Sequence, residues 1–598
     1  MPIFEYKDRD ARAEVSEAFH LAAYTIIPSI IQSGGALDFS SDGDGPLPPG
    51  WRDLTAAELG LSSDTVDRLG FFTGSGSKAA QAKILGCFDD KGNLTRISVS
   101  FAGTNDLGDL PDYLKLVQGA YMDEFRYLLD ATAAFAQANK LSGSDVVVTG
   151  YSLGGGATNI LAERAEDFSE GFYASSNFFG FSSPTIYDNS DRILNFGAEN
   201  DVVYRVVGDS DDSVKNLVRE ALINEDKEFG SSSDNVVLFN DFYASQQSPF
   251  GPFGILNLIG GWNAHLTRLF DPVIDRIGAS SFYDIIETDS TVVVSQLSGL
   301  TRGSTWVGDV DRPTSSHFGD PAFILGTAKG DLLRDGRSGD YLDGFGGDDR
   351  FRLSSGSDTV HGGEGFDTVE LAGTARDYSA YRLSDGTVYM LDRIGESGLE
   401  ELVSVEQIQF GELFAQTYAV RQDRLDSSSF FAPDIRYAGH REGTAGKDTL
   451  SGTGGADAIF ALGGNDTVKG GNGNDLIHGG KGNDILRGDG GDDRLFGGLD
   501  EDRLTGGAGN DILTGGAGDD VFDFVAGVLG RDTIADFNAG AEGHDVLAFD
   551  ASLFDSAQDA LAAFRQVGDD AVLKLGSASI TLTHFNVDDL SVTQIQFA

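Results

Sequence analysis

Residues 470 to 487 read GGNGNDLIHGGKGNDILR, two consecutive copies of one nine-residue pattern. Each copy has a leading glycine pair, a fourth-position glycine, an aspartate at position six and an apolar residue at position eight. The aspartate keeps this register through Asp448, Asp457, Asp466, Asp475, Asp484, Asp493, Asp502, Asp511 and Asp520. Two residues after each stands Leu450, Ile459, Val468, Ile477, Leu486, Leu495, Leu504, Leu513 or Phe522. With 94 acids in 598 residues, nine hits in nine have a chance of about 10⁻⁷. Upstream, Asp331, Asp340, Asp349, Asp358 and Asp367 repeat the register, followed by Leu333, Leu342, Phe351, Val360 and Val369.

The glycine-rich half of such a unit turns through conformations with positive φ, and the half around the apolar residue forms a short strand pointing inward. Two units complete one coil, so aspartates eighteen residues apart stack on one side. Their carboxylates, with turn carbonyls, form a cage of six or so oxygens for a hard cation. The pattern G-G-x-G-x-D-x-U-x resembles the calcium-binding nonapeptide of RTX proteins. It predicts a parallel β-roll with Ca²⁺ on the fourteen aspartates named above. Asp502, in GGLDEDRLT, and Asp466, which lacks the leading glycine pair, are the weaker copies.

Composition fits this reading. Lys+Arg 43 against Asp+Glu 94 gives a net charge of −51, which repels phosphate backbones and excludes nucleic-acid binding. About ten bound calcium ions would bring that charge to about −31. The single cysteine, Cys87, excludes an intramolecular disulfide and a cysteine-based zinc cluster. The start, MPIFEYKDRDARAEVSEAFH, lacks the basic and apolar regions of a signal peptide. No run reaches the roughly 18 apolar residues of a membrane span. Between the blocks, residues 371–440 alternate apolar and polar, as do stretches of 523–598, predicting β-rich regions. The expected division is 1–320 catalytic, 326–370 first roll block, 371–440 spacer, 443–522 second block and 523–598 tail.

In the N-terminal half, DVVVTGYSLGGG at 145–156 is a β-branched run, the sharp turn Gly150-Tyr151-Ser152-Leu153-Gly154, and a helix-compatible stretch. This strand, elbow and helix is the G-x-S-x-G setting of a serine nucleophile, and it predicts an α/β-hydrolase domain. In that fold the chain order is serine, acid, histidine. His20 precedes Ser152, and His265 after an apolar stretch is preferred over His317 in polar TSSHFGD. Asp201, in ILNFGAENDVVYRV, is preferred as the acid. The oxyanion donors expected are the N–H groups of Leu153 and Thr104, the latter closing ISVSFAGTN.

With SFAGTN, DVVVTGYSLGGG, FGFSSPT and NFGAENDVVYRV on one chain with the repeats, the whole sequence resembles the bacterial lipase subfamily I.3. The resemblance implies a secreted, calcium-dependent triacylglycerol lipase acting on long-chain esters at an oil–water interface, with Ser152, Asp201 and His265 as triad. By the same match, Gln81, Asp106 and Asp109 would hold a lid calcium, and Asp234 with Asp289 a structural one. The tail ending in DDLSVTQIQFA resembles the uncleaved signal of RTX proteins exported from Gram-negative bacteria by the type I (ABC) apparatus; a monomer is expected. Tyr151 stands where the family usually has histidine, Ala102 where it has arginine, and the lid segment near 26–50 is short. The apolar segments 26–37 and 249–262 are the expected acyl-binding surface. Phospholipase A1, carboxylesterase or polyester hydrolase activity would use the same triad; a calcium-dependent adhesin is the non-enzymatic rival.

Overall fold

The computed structural model describes residues 3–7, 9–25, 47–76, 80–103, 121–183, 187, 189, 191–198, 237–240, 270–287, 290–294, 321–336, 338–394, 398–411, 415–429, 432–539 and 545–597. Two compact units emerge, Met1–Arg334 with Asp343–Phe345, and Asp335–Leu342 with Gly346–Ala598. Among the described residues no helix is long and apolar enough to cross a membrane.

The first unit is built on one mixed sheet. Strand Gln81–Phe88 pairs antiparallel with Leu94–Phe101. From there Val146–Tyr151, Asn177–Phe181 and Ile193–Ala198 follow side by side, all parallel. Every residue of Val146–Tyr151 is buried, as a parallel strand covered by helices on both faces requires. Val146 and Val148 join a core with Leu128 and Leu129 of helix Arg126–Ala138 and Leu161 of helix Leu153–Glu163. Thr149 points to the opposite face, where its hydroxyl donates to the Ala18 carbonyl of helix Arg12–Ala23 at 3.1 Å. Helices on both faces of a largely parallel sheet make the α/β-hydrolase architecture that the elbow predicts.

In the second unit, nonapeptides alternate between two parallel sheets. Val468 lies beside Leu486 and Leu486 beside Leu504 in one sheet; Ile477 lies beside Leu495 and Leu495 beside Leu513 in the other. Partners are eighteen residues apart, so two nonapeptides make one coil. Ile459, Val468, Ile477, Leu486, Leu495, Leu504 and Leu513 form the apolar interior between the sheets. This is a parallel β-roll. In the first block the apolar residues Leu342, Phe351, Val360 and Val369 are equally buried.

The spacer extends the first block. Strand Leu399–Val403 pairs in parallel with Thr359–His361, and Gln407–Phe410 with Thr368–Leu371. Its antiparallel hairpin, Tyr378–Arg382 and Val388–Asp392, packs Tyr381, Tyr389 and Leu391 against Phe460, Leu476 and Phe496 of the second roll. The tail likewise continues both sheets: Arg531–Ile534 joins Ile512–Ala517 and Val546–Phe549 joins Val521–Phe524, each in parallel.

Candidate active site and metal centres

Ser152 is the residue between strand Val146–Tyr151 and helix Leu153–Glu163. Its backbone is left-handed, with φ 56° and ψ −123°. A non-glycine residue costs of order 1–3 kcal/mol in such a conformation, which persists only where the surroundings enforce it. Here they do. A Cβ placed on Gly150 would stand 2.2 Å from the Gly154 carbonyl oxygen, and one on Gly154 would stand 2.2 Å from the Phe101 carbonyl oxygen. Only glycine on both sides of the serine lets the helix start so close to the sheet. The Ser152 N–H donates to the Phe181 carbonyl at 2.9 Å, which ties the elbow to the neighbouring strand. Ser152 is buried, and Leu153 opens the helix, whose N-terminal N–H groups and positive dipole end lie beside the serine.

The strand end expected to supply the second oxyanion donor is adjacent: a Cβ on Gly103 would meet the Tyr151 carbonyl oxygen at 2.9 Å and the Ser152 Cβ at 3.5 Å. Thr104 itself lies outside the described residues, as do Asp201, His265, His317, Asp106, Asp109, Asp234 and Asp289. Gln81 is described: its Nε2 donates to Asp67 at 2.7 Å, and its carbonyl accepts the Ala102 N–H at 2.9 Å.

Behind the elbow lies a buried amide pair that motif reading missed. Asn159, on the elbow helix, donates to the Asn195 side-chain oxygen at 2.8 Å, and Asn195 donates back at 3.0 Å. Asn159 also donates to the Gly155 carbonyl at 3.0 Å. Asn195 sits on Ile193–Ala198, the strand leading toward Asp201, so reciprocal hydrogen bonds bind the serine's helix to that strand. Inside a low-dielectric core such a satisfied pair specifies one alignment. The sequence signal was two asparagines inside apolar stretches, TNILA and ILNFGA.

The repeat aspartates form a ladder. Each main-chain N–H donates to the Oδ1 of the aspartate eighteen residues on, at 2.5–2.9 Å from Asp448→Asp466 to Asp502→Asp520. Oδ2 is then left over. In Asp358, Asp367, Asp466, Asp475, Asp484, Asp493, Asp502, Asp511 and Asp520 this oxygen is buried without a hydrogen-bond partner. A buried unpaired carboxylate oxygen costs several kcal/mol unless a cation meets it, and a column of them is what a hard, oxygen-seeking ion fits. Burial, then neighbouring aspartates, pushes the metal-free carboxyls up, to about 7 at Asp484 and Asp493, about 8 at Asp520 and about 9 at Asp502.

Two details sharpen the register. Where threonine takes the second position, Oδ2 is satisfied by protein: Thr444 donates from N and Oγ1 to Asp448 at 2.7 and 2.8 Å, and Thr453 to Asp457 at 2.6 and 2.8 Å. Thr327 does the same for Asp331. These threonines mark the start of both ladders of the second block and of the Asp331 ladder of the first; at Asp340 the place is taken by Gly336. In the two weaker copies the backbone follows the pattern without glycine, Leu462 at φ 79° and Asp500 at φ 74°. The Asp500 carboxylate repays its strain by accepting the Gly482 N–H at 3.0 Å.

The ladder outruns the repeats. Asp358 and Asp367 donate their N–H groups to Glu400 and Glu406 of the spacer at 3.0 and 2.9 Å. Asp511 and Asp520 donate to Asp532 and Asp545 of the tail at 3.2 and 3.0 Å. These four acids occupy the next aspartate's place with no nonapeptide around them.

Comparison with known proteins agrees with both halves. The family model for the RTX calcium-binding nonapeptide repeat matches residues 325–360, 352–370, 442–477, 469–504 and 496–534. A lipase of Pseudomonas fluorescens is 38% identical over 299 residues, covering 46% of this chain and 60% of that protein. A second lipase of that species is 36% identical over 297 residues, covering 47% of this chain and 64% of the other. The matches therefore span less than two thirds of either relative. The crystal structure of the extracellular lipase LipA from Serratia marcescens aligns over 100% of both chains, with a TM-score of 0.63 and 28% identity.

Proposed function

We propose that this chain, which is similar to RTX-repeat lipases, is a member of subfamily I.3 with the activity of a secreted serine lipase that hydrolyses long-chain acylglycerol esters. The observation that carries this reading is the strained, glycine-flanked Ser152 at the head of a helix. Ser152 Oγ attacks the ester carbonyl carbon. His265 takes the hydroxyl proton and returns it to the alcohol leaving group, while Asp201 holds the imidazole and stabilises its charged form. The N–H groups of Leu153 and Thr104 stabilise the tetrahedral oxyanion. Water then attacks the acyl-enzyme with His265 as base, releasing the fatty acid. Calcium, when bound, neutralises the carboxylate ladder and folds the roll. Substrate meets the protein at an oil–water interface, and the type I export apparatus carries the chain out before the roll folds in extracellular calcium.

The test is hydrolysis of p-nitrophenyl esters from short to long acyl chains, with and without calcium, by the full chain and its Ser152→Ala variant. Calcium-dependent turnover that peaks at long chains and disappears in the variant is expected, with fluorophosphonate labelling lost in parallel. Turnover confined to short chains would replace the lipase by a carboxylesterase. Turnover surviving Ser152→Ala would overturn the mechanism, and a chain inert to both reagents would favour a calcium-dependent adhesin.

A further inference from the structure

Where the first repeat block meets the spacer, the acids cease to follow the nonapeptide. Asp335 stands at the first position of its repeat, a place held by glycine in well-formed copies such as 470–478. Oxygens of Asp335, Asp340 and Asp358 all lie within 4.8 Å of one another. Calcium binds oxygen at about 2.3–2.6 Å, so the ligands of one ion lie no more than about 5.2 Å apart, a limit these atoms satisfy. Asp335 is 2% exposed and Asp340, Asp358 and Glu400 are each 1% exposed.

The hydrogen bonds leave one oxygen over. The Ser354 N–H and hydroxyl hold Asp335. Asp340 accepts the Gly336 N–H at Oδ2 and donates its own N–H to Asp358 Oδ1 at 2.8 Å. Asp358 donates its N–H to Glu400 Oε2 at 3.0 Å, and Asp358 Oδ2 has no hydrogen-bond partner. Three buried carboxylates converge on one point with an unmatched oxygen among them, and Glu400 stands beside them on the Asp358 N–H. Repulsion and desolvation there favour either protonation or a bound divalent cation.

We propose that Asp335 and Glu400, neither of them a repeat aspartate, join Asp340 and Asp358 in binding one divalent cation, calcium by donor type, at the junction of the first roll block and the spacer. The ion ties strand Leu399–Val403, which carries Glu400, to the roll strand Thr359–His361 beside it. Loading of the first block and docking of the spacer then become one event.

The experiment counts bound calcium per chain by equilibrium dialysis with elemental analysis on the full-length protein, for wild type, Asp335→Asn, Glu400→Gln and the double variant. Glutamine keeps an acceptor for the Asp358 N–H and removes only the charge. Hydrogen exchange of residues 399–403 is followed alongside. Each single variant should bind one ion fewer, the double variant also one fewer rather than two, and the calcium-dependent protection of 399–403 should be lost. Unchanged ion counts would show that the cluster holds protons instead and would overturn the proposal; so would a loss of two ions in the double variant. If Glu400→Gln fails to reach the wild-type circular dichroism spectrum at saturating calcium, Asp335→Gly, which restores the repeat glycine, answers the same question by the same count.

Discussion

Leu486→Ala should shift the calcium midpoint of roll folding only slightly, despite emptying the centre of the core. Leu486 is fully buried and lies between Val468 and Leu504 in one sheet. Truncating such a leucine costs about 2–5 kcal/mol. In an ion-coupled fold that loss is recovered by raising free calcium, and each tenfold rise contributes about 1.4 kcal/mol per coupled ion. The second block has seven orphaned aspartate oxygens, on Asp466, Asp475, Asp484, Asp493, Asp502, Asp511 and Asp520. With one ion for each, a decade of calcium is worth about 9.5 kcal/mol, so the midpoint should rise only about 1.6- to 3.4-fold. Were a single ion coupled to folding, a loss of about 3 kcal/mol would move it about 160-fold. The assay is a calcium titration of chelated full-length protein followed by far-ultraviolet circular dichroism, wild type against Leu486→Ala. A shift beyond tenfold would refute the cooperative ladder, and no shift would refute the place of Leu486 in the folded core.

Acidity should act on the roll in opposite directions with and without calcium. Folded, metal-free carboxyls at Asp484, Asp493, Asp520 and Asp502 are raised by burial to about 7, 7, 8 and 9, above the unfolded value of about 3.9. Folding without metal therefore takes up protons, so its stability is greatest below that unfolded value and is lost as pH rises through 7 to 9. In chelator the β signal should grow as pH falls from 9 to 5; with calcium present, lowering pH should raise the calcium midpoint, because binding must expel those protons. A calcium midpoint independent of pH over this range would contradict the assignment of the orphaned oxygens as ligands. At the elbow, Gly154→Ala sets a methyl 2.2 Å from the Phe101 carbonyl oxygen. It should slow fluorophosphonate labelling of Ser152 at least tenfold, about 1.4 kcal/mol in barrier, and leave the roll's calcium midpoint unmoved; unchanged labelling would show that the elbow does not depend on this close approach.

The repeat and the elbow, each with a short, fixed spacing, were legible in the amino-acid order. The nine-residue register predicted which residues point inward, because a strand and a turn of constant length must repeat their side-chain directions, and Ile477, Leu486 and Leu495 are buried as the pattern requires. Gly150 and Gly154 predicted the elbow, because only a residue without Cβ fits against the neighbouring backbone at those two places. The threonines at 444 and 453 cap Asp448 and Asp457 across only four residues of chain, yet the repeat pattern did not single them out, because it fixes the aspartate and the apolar residue and not the group that meets Oδ2.

The ends of the ladder were a different matter. Glu400, Glu406, Asp532 and Asp545 follow their partners by 42, 39, 21 and 25 residues, so no common period exposes them. Asn159 and Asn195 meet across 36 residues. Each of these contacts exists because parallel strands bring distant segments into register, and a loop of any length serves once its strand is seated. Sequence alone determined the repeating unit and the elbow, where geometry is set within a few bonds; only the tertiary structure decided where the aspartate ladder stops and which outside acids accept its last N–H groups.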